Sequence, residues 1–122
     1  MSAPEFEISK SAAFDAAHYL PEGSAAGYRR VHGHSFQVEA TLRGPMQEPV
    51  GWVADLGALD AALKALAHEL DHSMLNEHAG LESPTLERLC LHFAGRLKPQ
   101  FASLKRVCVL RPSNGERCVL EL

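Results

Sequence analysis

The sequence predicts an α+β protein: an antiparallel four-stranded sheet with two helices on one face. Three observations predict it. Positions 35–42 alternate apolar and polar residues with a period of two, two later segments carry apolar residues at helical spacing, and the last third reads as a hairpin. Strands, then helices, then strands, without βαβ alternation, give an antiparallel sheet with its helices segregated to one side.

Each element has its own signal. Phe6 to Phe14, "FEISKSAAF", is β-compatible and runs into "DAAHYL", so His18 closes the first strand, and "PEGSAAGY" supplies the proline, glycines and serine of a loop. In the second strand Phe36, Val38, Ala40 and Leu42 alternate with Ser35, Gln37, Glu39 and Thr41, and the pattern breaks at "GPMQEPVG". The short apolar piece "GWVADL" is predicted to pair back on that strand. A helix then begins near Gly57, with Leu59, Leu63, Leu66, Ala67 and Leu70 on one face, and stops at Asp71. After "DHSMLNEHAGLE", Ser83 is read as the N-cap and Pro84 as the first position of a second helix, whose stripe is Leu86, Leu89, Cys90, Phe93 and Leu97. The strands "LKRVCVLR" and "ERCVLEL" are joined by "PSNG", in which Asn114 and Gly115 tolerate positive φ.

These elements fill 122 residues, which suit one domain over 1–122 and are too few for two sizeable cores. An apolar share of 46% and a charged share of 22% describe a chain that folds. The net charge of −3 comes without blocks of like charge, so no nucleic-acid footprint and no membrane-surface helix is indicated. No apolar run approaches the roughly 18 residues of a spanning helix, and "MSAPEFEISK" lacks the order of a signal peptide, so a cytoplasmic protein is expected. Cys90, Cys108 and Cys118 are odd in number and lack CxxC spacing, which argues against a disulfide framework or a cysteine-based zinc site.

The chemistry concentrates in "RRVHGHSFQVEATL". His32 and His34 are two apart on a strand and project to one face, so their imidazoles can converge on one point. A catalytic zinc site often uses three neutral histidines plus water. His18, ending the preceding strand, is the natural third, near His34 if the two strands pair antiparallel. Two half-exposed histidines without metal remain the plain alternative for an HxH pair.

The segments "FDAAHYLP", "HGHSFQVEATLRG", "GWVADLGAL", "LDHSMLNE" and "ESPTLERL" resemble, in order and spacing, the 6-pyruvoyl-tetrahydropterin synthase and 6-carboxytetrahydropterin synthase family, from about Phe14 to about Arg88. The resemblance implies the tunnelling fold, in which subunits assemble into an oligomeric barrel, a homo-trimer or a homo-hexamer. It implies Zn2+ held by His18, His32 and His34, a lyase reaction on 7,8-dihydroneopterin triphosphate or a related pterin, and Asp71 with His72 as a proton-transfer pair. The pathway, queuosine or biopterin type, stays open. An imidazole titrating near neutrality both takes and gives a proton, and a carboxylate fixes its tautomer. "DH" at a helix end also gains dipole stabilisation whatever its role. His68, His78 and His92 match no motif and are read as solvated or structural.

Two positions depart from the family pattern. The family's cysteine before HGH is absent from "GSAAGYRRVHGH": Tyr28 stands there in ungapped alignment, Ala26 with a two-residue shift. A thiol near ~8.5 is an effective base or acid at neutral pH, whereas a phenol near ~10 needs a metal or cation to lower it. Arg111, followed by Pro112, occupies the place of the family's pterin-gripping glutamate. A carboxylate accepts two N–H bonds from a guanidine-like edge, and an arginine only donates. Three readings accommodate this: a lyase with Tyr28 or zinc-bound hydroxide as base and Glu116 as anchor, a paralogue whose Arg111 pairs with an anionic substrate, or a zinc and ligand-binding module without turnover. Thr85 corresponds to the threonine of the family's "NPT" segment and is a candidate ligand contact, while Glu87 reads as an acid in a helix first turn.

Overall fold

The computed structural model describes residues 3–23 and 25–122; Ser24, the serine expected in the first loop, lies outside the described residues. The principal elements are strand β1 (Glu5–His18), strand β2 (His32–Pro45), helix α1 (Leu56–Leu70), helix α2 (Leu86–Leu97), strand β3 (Leu104–Arg111) and strand β4 (Glu116–Glu121). All four strands pair antiparallel, in the order β1-β2-β3-β4.

Side-chain alternation turns this ladder into a two-layer molecule. The pairs Ala12↔Val38, Phe14↔Phe36 and Ala16↔His34 share one face. That face is covered by α1, packed on β1, and α2, packed on β3 and β4. Leu59, Leu63, Leu66 and Leu70 of α1 and Leu89, Phe93 and Leu97 of α2 are buried against it. The rings of Phe14 and Phe36 stack with centroids 5.0 Å apart, and Phe93 closes on Phe14 at 5.9 Å. Buried side chains of this size stabilise the fold by roughly 1.5–3 kcal/mol each. Phe36 is also the floor of the histidine cluster, with its centroid 5.9 Å from that of His18 and 5.6 Å from that of His34.

Three local expectations are corrected. "GWVADL" makes only one isolated bridge, Trp52 to Gln47, and joins no strand of the sheet. Both edges of β2 are already taken by β1 and β3, so no ladder is open to it. The second helix is capped by Thr85 rather than Ser83: the Thr85 hydroxyl accepts the Arg88 N–H at 3.2 Å, and Pro84 lies outside the helix. In the terminal hairpin only Gly115 has positive φ, +67°, because Pro112–Asn114 form a single 3-10 turn. His18 does lie near His34, its diagonal neighbour across the antiparallel ladder, with ring centroids 5.0 Å apart, and its direct partner in the register is His32.

Candidate functional site

The last pair of the β1–β2 ladder places two imidazoles side by side, and the next inward position of β2 adds the third. His18, His32 and His34 each offer a ring nitrogen within 4.8 Å of the other two. The ring centroids of His18 lie 4.6 Å from His32 and 5.0 Å from His34, and those of His32 and His34 are 4.8 Å apart. His18 is 1% exposed.

Hydrogen bonds orient the rings. The Nδ1–H of His18 donates to the Pro84 carbonyl at 3.2 Å, and the Nδ1–H of His32 donates to the Arg30 carbonyl at 2.7 Å. These bonds assign the tautomers, leaving both Nε2 atoms as bare acceptors. The two Nε2 atoms are 3.1 Å apart. Two lone pairs at that distance repel unless a cation lies between them. Zinc–nitrogen bonds of ~2.05 Å at tetrahedral angles put ligand nitrogens about 3.3 Å apart. The Nε2 of His34 is buried without a partner. Donor type, spacing and an orphaned nitrogen thus all fit a divalent ion, with the backbone carbonyls as outer support.

Burial pushes the His18 pKa down to about 4, helped by its two imidazole neighbours and Arg111. Burial lowers that of His34 too, with Arg111 and His32 contributing. Both rings are therefore neutral near pH 7, the form a metal requires.

The trio opens into a pocket of about 280 Å³ that Tyr28, Arg111, Asn114 and Glu116 also line. Tyr28 sits on the 3-10 turn Ala26–Arg29, 55% exposed, its ring 6.4 Å from that of His32. Ala26, the alternative cysteine position, lies on the same turn and carries only a methyl group. Arg111 Nε is 2.9 Å from Glu116 Oε1, at an angle that makes an ion pair but no hydrogen bond, so the donor stays unsatisfied. The candidate anchor Glu116 is thus already engaged by Arg111. Thr85 follows the proline whose carbonyl holds His18, and its hydroxyl is committed as acceptor to the helix cap.

Asp71 and His72 lie elsewhere. They follow α1 and run along the free edge of β1, where His72 N–H donates to the Asp15 carbonyl at 2.7 Å and Asp15 N–H donates to Asp71 Oδ1 at 2.8 Å. Asp71 Oδ2 is 2.8 Å from His72 Nδ1. The Asp15 N–H and then the His72 ring hold the Asp71 carboxyl below its ordinary range. His72 has φ +56° and a side chain 81% exposed. It lines a second cleft, about 830 Å³, with Asp15, Ser35, Ser113 and Asn114. Asp15 and Ser35 alternate with the buried positions and belong to the sheet face away from the helices. The two clefts share His34 and Asn114. Sequence reasoning missed the supporting carbonyls of Pro84 and Arg30, which carry no residue-type signal, and the 2.6 Å bond from the Ser35 hydroxyl to Asp15.

A four-stranded antiparallel sheet with two helices on one face and three imidazoles at its mouth defines a tunnelling-fold chain with a candidate metal centre. Residues 7–121 match the family model described as 6-pyruvoyl tetrahydropterin synthase, and the chain belongs to that family. A 6-carboxy-5,6,7,8-tetrahydropterin synthase of Synechocystis is 39% identical over 98 residues, covering 75% of this chain and 74% of the relative. A dihydroneopterin monophosphate aldolase of Pyrococcus furiosus is 31% identical over 99 residues, covering 79% and 81%. The 6-pyruvoyl tetrahydropterin synthase structure of Caenorhabditis elegans superposes with a TM-score of 0.84 at 20% identity, covering 100% of this chain and 99% of that one.

Proposed function

We propose that the chain is a zinc-dependent carbon–carbon lyase of the 6-carboxytetrahydropterin synthase type, acting in the cytoplasm on the side chain of dihydroneopterin triphosphate or a related pterin. The observation that carries this reading is the pair of facing, unprotonated Nε2 atoms of His18 and His32 at 3.1 Å, with the orphaned Nε2 of His34 beside them. The relatives support the substrate class, since a synthase and an aldolase of this family are both named for pterin compounds.

His18, His32 and His34 would hold the ion. Zinc there supplies Lewis acidity for an oxygen of the substrate side chain. Proton movement falls to His72, whose exposed ring takes or gives the proton while the Asp71 carboxylate, 2.8 Å from its Nδ1, stabilises the cation. Asp71 is the positioning residue, fixed in turn by the Asp15 N–H. Tyr28, at the mouth of the histidine pocket, is the candidate base in place of the family cysteine. Arg111 and Glu116 line the same pocket as ligand contacts, and the Thr85 hydroxyl keeps its own proton to donate to a ligand.

Within one chain His72 does not line the histidine pocket itself but a cleft that adjoins it at His34 and Asn114. The working site is proposed to form between copies of the chain, in a homo-trimer or homo-hexamer. The outer strands of the sheet, β4 and the part of β1 before Asp15 that residues 71–74 leave uncovered, offer edges for such pairing. The free state of Cys90, Cys108 and Cys118 suits a reducing compartment, and among the described residues no helix is long and apolar enough to cross a membrane.

Metal analysis and turnover test the reading. Protein prepared without chelator should hold about one zinc per chain, and His32→Ala should lose both zinc and turnover of the pterin. Absence of zinc, together with a His32→Ala variant of unchanged metal content and melting temperature, refutes it.

A further inference from the structure

Arg111 is the last residue of β3, and its side chain is only 15% exposed. A guanidinium is charged at every physiological pH and carries five N–H donors in a rigid fork. Here it lines the histidine pocket with a buried Nε that no acceptor satisfies. Glu116 balances the charge at 2.9 Å without accepting that N–H, and its own side chain is 43% exposed to solvent. A buried donor left open is costly and calls for a functional explanation. The other walls offer no second acceptor of full charge: the remaining lining residues are His18, His32, His34, Tyr28, Leu20 and Asn114. With a divalent ion on the imidazoles the pocket would be strongly positive, and a donor-only edge would be repelled from this end.

We propose that Arg111 is an anion receptor: it makes the histidine pocket select a ligand that carries a carboxylate or phosphate beside the metal-binding imidazoles. This specificity role rests on the metal-lyase reading above for the identity of the rest of the ligand, but not for the anion itself. The planar fork matches either anion by two parallel N–H···O bonds, and Glu116 tunes the affinity by competing for the same charge.

Calorimetry on the zinc-loaded protein, with two matched pairs of probes, tests it. Neopterin monophosphate against neopterin reads a phosphate, and 6-carboxypterin against pterin reads a carboxylate. One pair should differ by about tenfold or more in affinity, and Arg111→Gln should bring that ratio close to one. Arg111→Lys should keep part of the preference. Glu116→Gln should enlarge it, whereas a merely structural ion pair would make both variants weaken all four probes alike. Ratios near one in the wild type, or an unchanged ratio in a folded Arg111→Gln protein, overturn the proposal. Should Arg111→Gln fail to fold, a Glu116→Gln protein with an unchanged or smaller ratio overturns it instead. Inorganic phosphate titrated into metal-free protein separates the two ideas: phosphate binding that depends on Arg111, in a chain that takes no zinc and no pterin, sinks the lyase reading and leaves the anion receptor standing.

Discussion

Acidification of the metal-free protein should expose the cost of keeping His18 neutral. The ring is 1% exposed, stands over Phe36 and faces two other imidazoles, so its pKa falls from 6.5 to about 4 in the folded state. A histidine with a depressed folded pKa contributes its full stability above the unfolded value and loses it as pH falls through 6.5 toward about 4, because the unfolded chain binds the proton first. At about 1.4 kcal/mol per pH unit the whole effect is about 3 kcal/mol, of which about 2.5 kcal/mol develops between about pH 7.5 and about pH 4.5. The assay is urea unfolding across that range for wild type and His18→Gln, both free of metal. Carboxylate titrations are common to the two proteins and cancel in the difference. The variant is less stable at neutral pH, having lost a buried ring and its bond to Pro84, and the gap should shrink by about 2.5 kcal/mol on acidification. A gap constant to within about 0.5 kcal/mol would show that His18 takes up its proton in the folded state, and the reasoning from burial would fail.

Sedimentation at micromolar concentration should give a trimer or hexamer of the 13.3 kDa chain, and a clean monomer would remove the proposed shared site. Thr85→Ala should lower stability by about 1 kcal/mol through loss of the α2 cap, measured by urea unfolding, while Ser83→Ala should leave it nearly unchanged. Because His72 holds φ +56°, His72→Gly should be more stable than His72→Ala by about 1 kcal/mol, with turnover abolished in both. Tyr28→Phe should abolish turnover if the phenol is the base, and its pH profile against wild type decides: retained activity assigns the proton to His72 or a zinc-bound water.

Much of the candidate metal site is legible in the amino-acid order because strand periodicity is local. His32 and His34 share a face by the two-residue repeat, and the same repeat in β1 puts Phe14, Ala16 and His18 on the matching face once the strands pair. The helical stripes were likewise readable, since Leu59, Leu63, Leu66 and Leu70 need only a period near 3.6 to define a buried side. What could not be read depends on backbone brought from a distance. The Pro84 carbonyl reaches His18 across 66 positions of sequence, and in doing so leaves the helix start to Thr85. "GWVADL" has the composition of a strand but finds both edges of β2 occupied. Asp71 and His72 are recognisable as a pair, yet only the hydrogen bonds to Asp15 on the edge of β1 fix where they sit, with His72 lining the cleft that meets the histidine pocket at His34. Arg111 and Glu116 are five apart in sequence and meet because the hairpin sets them opposite each other in the ladder. Residue type and period decide which face a side chain takes; register, edges and long-range carbonyls decide which groups share that face.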